Sequence, residues 1–205
     1  MAYFMRFISG ILHPLLLSTY LLLVFYFYQP EFFSPVSDEF IPKLVSSAFL
    51  TTFLIPALSI VIMRFTSRVS SLSLSTKEER ILPFVSILLF YGTTTYLFAT
   101  RLGIHAPLLT MMIAMTSLIG LLLLITLRFK ISIHAAANWA LCGLLAAISI
   151  NYTGMNMILP LIASTLTAGL VCASRLYLGR HTEQEIYYGS LLGFVTAFAS
   201  VSLFG

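Results

Sequence analysis

Seven long stretches of the chain contain no aspartate, glutamate, lysine or arginine, and this spacing of charge constrains the fold more than any other feature. A helix needs about 20 apolar residues to cross a bilayer, and in lipid a single segment satisfies its backbone polar groups only as a helix. Each stretch is therefore predicted to be a membrane-spanning helix. The stretches cover residues 7–28, 44–63, 81–100, 107–127, 135–152, 155–173 and 186–204.

The composition agrees with a membrane protein, since 59% of the 205 residues are apolar and only 9% are charged. A soluble domain carries about 25% charged residues. The links are short, so neighbouring spans should run antiparallel in an all-α polytopic bundle of about six to seven spanning helices. We expect a single integral-membrane domain over residues 1–205, in the bacterial inner membrane. The net charge of +4 is spread over short links, and no basic stripe indicates nucleic-acid binding.

One polar segment, from Ser174 to Glu185, lies between the sixth and seventh spans and places Arg175, His181 and Glu185 close together. His181 and Glu185 are four residues apart, so on a helix they share a face and can touch. A carboxylate that orients an imidazole prepares it for proton transfer or nucleophilic attack. An arginine fork grips phosphate oxygens. The segment therefore indicates phosphate chemistry at a membrane surface.

Two further polar clusters are predicted on the same face, because the second, fourth and sixth links share one side of the membrane. An ionisable group near membrane depth indicates a functional site by default. Three such clusters on one face therefore favour a shared site. The two further clusters comprise Lys77 with Arg80, and Arg128, Lys130, Ser132 and His134.

Single members of these clusters also have simpler explanations. Lys77 and Arg80 equally fit the solvated entrance of a helix. A lone histidine at a helix start, such as His134, is commonly a cap or an interfacial residue. His13 and His105 have no charged neighbour in the sequence and are predicted to be structural.

The segment from Ser174 to Glu185 resembles the signature of the type-2 phosphatidic acid phosphatase superfamily, which is Ser-Arg, five residues, His, three residues and Asp. Ser174, Arg175 and His181 match it, and Glu185 stands in place of Asp. The second cluster resembles the family's Ser-Gly-His element, with Ile133 in place of Gly. Lys77 and Arg80 lie closer together than in the family's Lys, six residues, Arg-Pro element. The resemblance covers about residues 77–193.

This resemblance implies a membrane phosphatase that acts on a lipid phosphate or polyprenyl diphosphate through a phosphohistidine. His181 would be the nucleophile, Glu185 would hold its tautomer, and His134 would protonate the leaving oxygen. No cofactor or metal is implied, and the expected partners are the lipid substrate and membrane lipids. The residues implied in phosphate binding are Arg175, Ser132, Ser174, Lys77, Arg80 and Lys130.

Two other functions fit parts of the sequence. A catalytically decayed relative that binds lipid phosphate or acts as a scaffold is favoured by Ile133 and by the short first element. A transporter or channel requires charges at mid-membrane or helices broken in matching halves. Pro56 and Pro160 lie within spans, but no internal charge accompanies them.

The distribution of cations leaves the orientation open. The predicted site face holds nine lysines and arginines against two on the other face, which by the positive-inside rule makes the site face cytoplasmic. A phosphate site also concentrates cations, however, and without the six cations near the clusters the count is three against two. The resemblance favours a site on the extracytoplasmic side, as is usual in this family, and we expect the site there.

Overall fold

The predicted all-α polytopic bundle is confirmed by a computed structural model that describes residues 1–67, 78–101, 106–152 and 156–204. These residues form helices and no strand, and seven helical segments are long and apolar enough to cross a membrane. Large apolar side chains such as Phe27, Leu89 and Leu166 remain exposed on the outside of the bundle. Apolar surface on this scale is expected where the surroundings are hydrocarbon.

The first two spans each consist of two α-helices, and the other five consist of one. A short 3₁₀ turn, Pro14–Leu16, separates α1 from α2, and a π-helical turn, Leu50–Leu54, joins α3 to α4. The α-helices of the described residues are α1 (Ala2–Ile11), α2 (Leu17–Tyr28), α3 (Ile41–Phe49), α4 (Ile55–Phe65), α5 (Glu78–Arg101), α6 (Ala106–Thr126), α7 (Ile133–Asn151), α8 (Ile158–Tyr177) and α9 (Glu183–Phe204).

The first span is broken at His13, although the sequence predicted one helix over residues 7–28. Pro14 has no backbone N–H to donate, and it forces the preceding residue out of the helical region. His13 is accordingly extended, with φ −68° and ψ 136°. Its Nδ1 accepts a hydrogen bond of 3.3 Å from the backbone N–H of Leu15. The imidazole therefore caps the 3₁₀ turn.

The centre of the bundle is α7, because 67% of its span is buried, more than in any other span. It packs against α9 at backbone distance. A Cβ atom added to Gly189 would lie 2.6 Å from the carbonyl oxygen of Ser132, and one added to Gly193 would overlap the backbone of Ala136. Small residues let membrane helices approach in this way. The approach fixes the start of α7 beside the start of α9.

The end of α8 is a tight left-handed turn that returns the chain to α9. Gly179 has φ +60°, a conformation that glycine adopts without steric strain. Its N–H donates to the carbonyl of Leu176 at 2.9 Å, and the N–H of Arg180 donates to the carbonyl of Arg175 at 3.1 Å. This pair of bonds is a Schellman motif. It places His181 directly after the last turn of α8.

Candidate active site

A cavity of about 150 Å³ lies among the helix ends that carry the three predicted clusters. Arg80 comes from the first cluster, His134 from the second, and Arg175 and His181 from the third. The structure therefore brings the clusters together, as the sequence predicted. The polar end of the lining consists of His13, Arg80, His134, Arg175 and His181. The apolar end includes Phe84, Ile87, Tyr91, Met115, Leu118 and Leu122.

His181 and Glu185 form the predicted pair, with 2.6 Å between Nδ1 and Oε2. The side chain of His181 is only 3% exposed. The start of α9 sets this geometry, because the Thr182 hydroxyl caps the helix by accepting the backbone N–H of Glu185 at 3.3 Å. A carboxylate at this distance accepts the proton on Nδ1, so Nε2 of the neutral ring keeps its lone pair.

The protonation state of His181 follows from its surroundings. Burial lowers the pKa of His181 to about 4, and the nearby guanidinium groups of Arg175 and Arg80 act in the same direction. The hydrogen bond to Glu185 opposes this shift by favouring the charged ring. His181 is therefore neutral at pH 7, which is the form that can act as a nucleophile.

Arg175 gives the cavity its strongest capacity to bind an anion. Its Nε is buried and has no hydrogen-bond partner in the part of the chain that the structure describes, where Arg175 also forms no ion pair. A buried charged donor without an acceptor is costly. An anion in the cavity would supply the missing acceptor.

Arg80 does not form the solvated helix entrance that the sequence also allowed. It is only 4% exposed, and Nη1 donates to the backbone carbonyl of Ile131 at 3.1 Å. The guanidinium therefore reaches inward beside the start of α7. Lys77, its predicted partner, lies outside the described residues.

Ser132 and Ser174 do not line the cavity, although the sequence assigned both to phosphate binding. Ser132 is fully buried and caps α7, where Oγ accepts the N–H of Ala135 at 3.3 Å. The Ser174 hydroxyl is also fully buried, 2.8 Å from Oγ of Ser9 and 2.8 Å from the carbonyl of Val171. Both hydroxyls form hydrogen bonds with backbone groups or with a neighbouring helix, and these bonds position the helices.

Lys130, another predicted phosphate ligand, lies on the far side of Glu185 from the cavity. Its Nζ is 3.8 Å from Oε2 of Glu185 and donates to the carbonyl of Arg180 at 3.3 Å. It lines a separate apolar groove together with Phe129 and Tyr188. In this position Lys130 contacts Glu185 and does not line the cavity.

His13 belongs to the site although the sequence predicted only a structural role. Besides capping its turn, its ring lines the cavity, 5.4 Å from the ring of His134 between centroids. A signal was present in the sequence, because an ionisable residue directly before a proline interrupts an otherwise apolar span. His105 lies outside the described residues.

The chemistry of the cavity suits an anion. The guanidinium groups of Arg80 and Arg175 line it, and Glu185 stands behind His181. Within the described residues, no group of three or more histidine, cysteine or acidic side chains is gathered to hold a metal ion.

Comparison with known proteins finds no counterpart for the chain. No family model matches it, and neither a curated protein nor a solved structure does. The interpretation of the site therefore depends on its geometry and on the sequence motifs described above.

Proposed function

We propose that this protein is an integral-membrane phosphatase that removes phosphate from a lipid phosphate or polyprenyl diphosphate through a phosphohistidine intermediate. The observation that carries the proposal is the cavity in which His181, held by Glu185, lies together with the guanidinium of Arg175, whose buried Nε has no partner among the described residues. The order and spacing of Ser174, Arg175, His181 and Glu185, which resemble the type-2 phosphatidic acid phosphatase signature, support it.

The first step transfers the phosphoryl group to the enzyme. Nε2 of His181 attacks phosphorus and forms a P–N bond while the bond from phosphorus to the lipid oxygen breaks. His134 donates a proton to the departing oxygen, which leaves as an alcohol or a monophosphate. Arg175 and Arg80 offset the charge on the phosphoryl oxygens.

The second step regenerates the enzyme. His134, now neutral, removes a proton from a water molecule, and the oxygen of that water attacks phosphorus as the P–N bond breaks. Inorganic phosphate leaves, and His181 returns to its neutral state with the Nδ1 proton still held by Glu185. The proton that His134 lost in the first step is restored in the second, so the cycle balances.

The shape of the cavity supports a lipid as the substrate. Its apolar end, between α5 and α6, is lined by Tyr91, Met115 and Leu118, which offer no charge to a polar substrate. Its polar end lies at the termini of spanning helices, where lipid head groups would be found. A hydrocarbon tail among the helices can therefore accompany a phosphate at the polar end.

The decisive experiment compares wild type with His181→Ala in a phosphate-release assay on a panel of lipid phosphates in detergent. We expect release by wild type, no release by the variant, and labelled phosphohistidine at residue 181 of wild type alone. Thermal unfolding of the two proteins checks that both are folded. Full activity in His181→Ala contradicts the proposal, and binding without release by wild type supports a non-catalytic relative.

We place the site on the extracytoplasmic face, and this part of the proposal has its own test. Arg180 is exposed beside the site and can be replaced by cysteine after Cys142 and Cys172 are changed to alanine. Labelling of Arg180→Cys by a membrane-impermeant maleimide in intact cells is the expected result. Labelling only after the membrane is opened would place the site in the cytoplasm.

A further inference from the structure

We infer that His13 is a third phosphate-contacting histidine of this site, and that it donates the N–H of Nε2 to a phosphoryl oxygen. This inference rests on the proposed function and extends it to the N-terminal span. That span lies outside the region of family resemblance, which begins near residue 77.

The hydrogen bond at the other ring nitrogen determines what His13 offers the cavity. Nδ1 accepts the backbone N–H of Leu15 at 3.3 Å, so the neutral ring carries its proton on Nε2. The edge that bears Nε2 points away from the capped turn. Among the described residues His13 bonds only through Nδ1, so Nε2 can donate to a ligand in the cavity that the ring lines.

The neighbours of His13 make that ligand an anion. The ring lines the same cavity as Arg175, Arg80 and His181, and it meets the ring of His134 edge-on at an interplanar angle of 83°. A phosphate in this cavity would have both His13 and Arg175 in the cavity wall around it. Phosphate oxygens can accept hydrogen bonds from both donors at once.

The segment before His13 is hydrogen-bonded to the helices that carry the motif residues. Oγ of Ser9 lies 2.8 Å from Oγ of Ser174, directly before Arg175 in the chain. Nδ2 of Asn138 donates to the carbonyl of Leu12 at 3.2 Å and to the carbonyl of His134 at 2.9 Å. The backbone on the N-terminal side of His13 is thus tied to both α7 and α8.

Two substitutions at His13 distinguish the role of Nδ1, which caps the turn, from the role of Nε2. His13→Asn keeps a short side-chain oxygen that can cap the turn, as Nδ1 does, but removes the distant donor. His13→Gln places an amide N–H near the position of Nε2, but its longer side chain moves the amide oxygen away from the backbone N–H that is capped. Each purified variant is assayed for the affinity of orthovanadate, for KM and kcat with a lipid phosphate, and for thermal unfolding.

We expect His13→Asn to weaken vanadate binding and to raise KM by about tenfold or more, since a hydrogen bond to a charged group is lost. Its unfolding temperature should stay near that of wild type, and His13→Gln should recover most of the vanadate affinity. Wild-type vanadate affinity and KM in His13→Asn would overturn the inference while leaving the proposed function intact. A wild-type protein that neither binds vanadate nor releases phosphate would overturn both.

Discussion

Glu185 uses one oxygen for two partners, His181 Nδ1 at 2.6 Å and Lys130 Nζ at 3.8 Å. The carboxylate selects the tautomer of His181, and an amide in its place can donate to Nδ1 and favour the inactive tautomer. We expect Glu185→Gln to lower kcat by about 10²–10⁴-fold with little change in phosphate affinity. Steady-state kinetics measure this effect.

Two controls accompany this substitution. Glu183→Gln changes an exposed carboxylate on the same turn of α9 and should keep wild-type kcat. Glu185→Asp restores the acid found in the family signature on a shorter arm and should retain more activity than Glu185→Gln. Equal loss in all three variants would argue against a role in orienting His181.

The pKa of His181 predicts where activity falls in acid. Its ordinary value is 6.5, and in this site burial lowers it to about 4. Protonation removes the nucleophilic lone pair, so kcat/KM should fall only as the pH drops through about 4, with no loss near pH 6.5 that belongs to this group. An NMR titration of the imidazole, assigned by its absence in His181→Ala, gives the pKa directly. A midpoint near 6.5 would contradict the predicted environment.

The sequence predicts the position of a site residue best when the contacts of that residue are with neighbours in the chain. The His181–Glu185 pair follows from a spacing of four on one helix, and the structure has it. Ser132 and Ser174 sit at the matching motif positions, yet the Ser132 hydroxyl caps α7 and the Ser174 hydroxyl also has a partner that spacing does not reveal. For Ser174 that partner is Ser9, which is 165 residues away in the chain.

The geometry of the site depends on how closely α7 packs against α9. A Cβ at Gly189 would lie 2.6 Å from the backbone oxygen of Ser132, so Gly189→Ala must push the two helices apart. We expect a loss of about 1–3 kcal/mol in the free energy of unfolding and a marked loss of activity, because His134 and His181 sit at these helix starts. Thermal unfolding in detergent and phosphate release measure both effects.

The matched control is Gly169→Ala on α8, where an added Cβ would meet nothing within 4 Å. Alanine favours a helix over glycine by up to about 1 kcal/mol, so this variant should be as stable as wild type or slightly more so. If Gly189→Ala behaved in the same way, the close approach of α7 and α9 would not be required.

At the level of elements, the sequence predicted the seven spans well because the exclusion of charge from hydrocarbon is a strong, local rule. It did not predict the break at His13, since hydropathy averages over a window and the 3₁₀ turn between α1 and α2 is equally apolar. Pro14 was the available cue, and its effect on the preceding residue explains the extended backbone there.

The bundle surrounds a cavity, and the apolar end of this cavity allows the binding of a lipid tail to be tested. Leu118 lines this end, and Leu118→Trp would fill much of a cavity of about 150 Å³. We expect KM for long-chain lipid phosphates to rise about tenfold or more, while hydrolysis of p-nitrophenyl phosphate, which has no tail, changes little. Leu124→Trp, on the exposed surface of α6, is the matched control and should leave both activities unchanged. Equal loss with both substrates would mean that Leu118 acts on folding.

The sequence located the three clusters on one face but could not supply the cavity they enclose. Arg80 reaches its place because α5 packs beside the start of α7, and its bond to Ile131 joins α5 to the link that precedes α7. His13 arrives through a kinked helix that no motif describes. Contacts of this kind depend on the packing of the whole molecule, which residue spacing within one segment does not encode.

The lining contributed by α6 is apolar throughout, through Met115, Leu118, Ile119 and Leu122. The groups proposed to cleave the phosphate bond lie on α7, the end of α8 and the start of α9. If the proposed function holds, substitutions in α6 would change which lipid tails the cavity accepts without altering a histidine or arginine of the site. The other helix of the apolar end, α5, carries Arg80 as well, so its substitutions are less free.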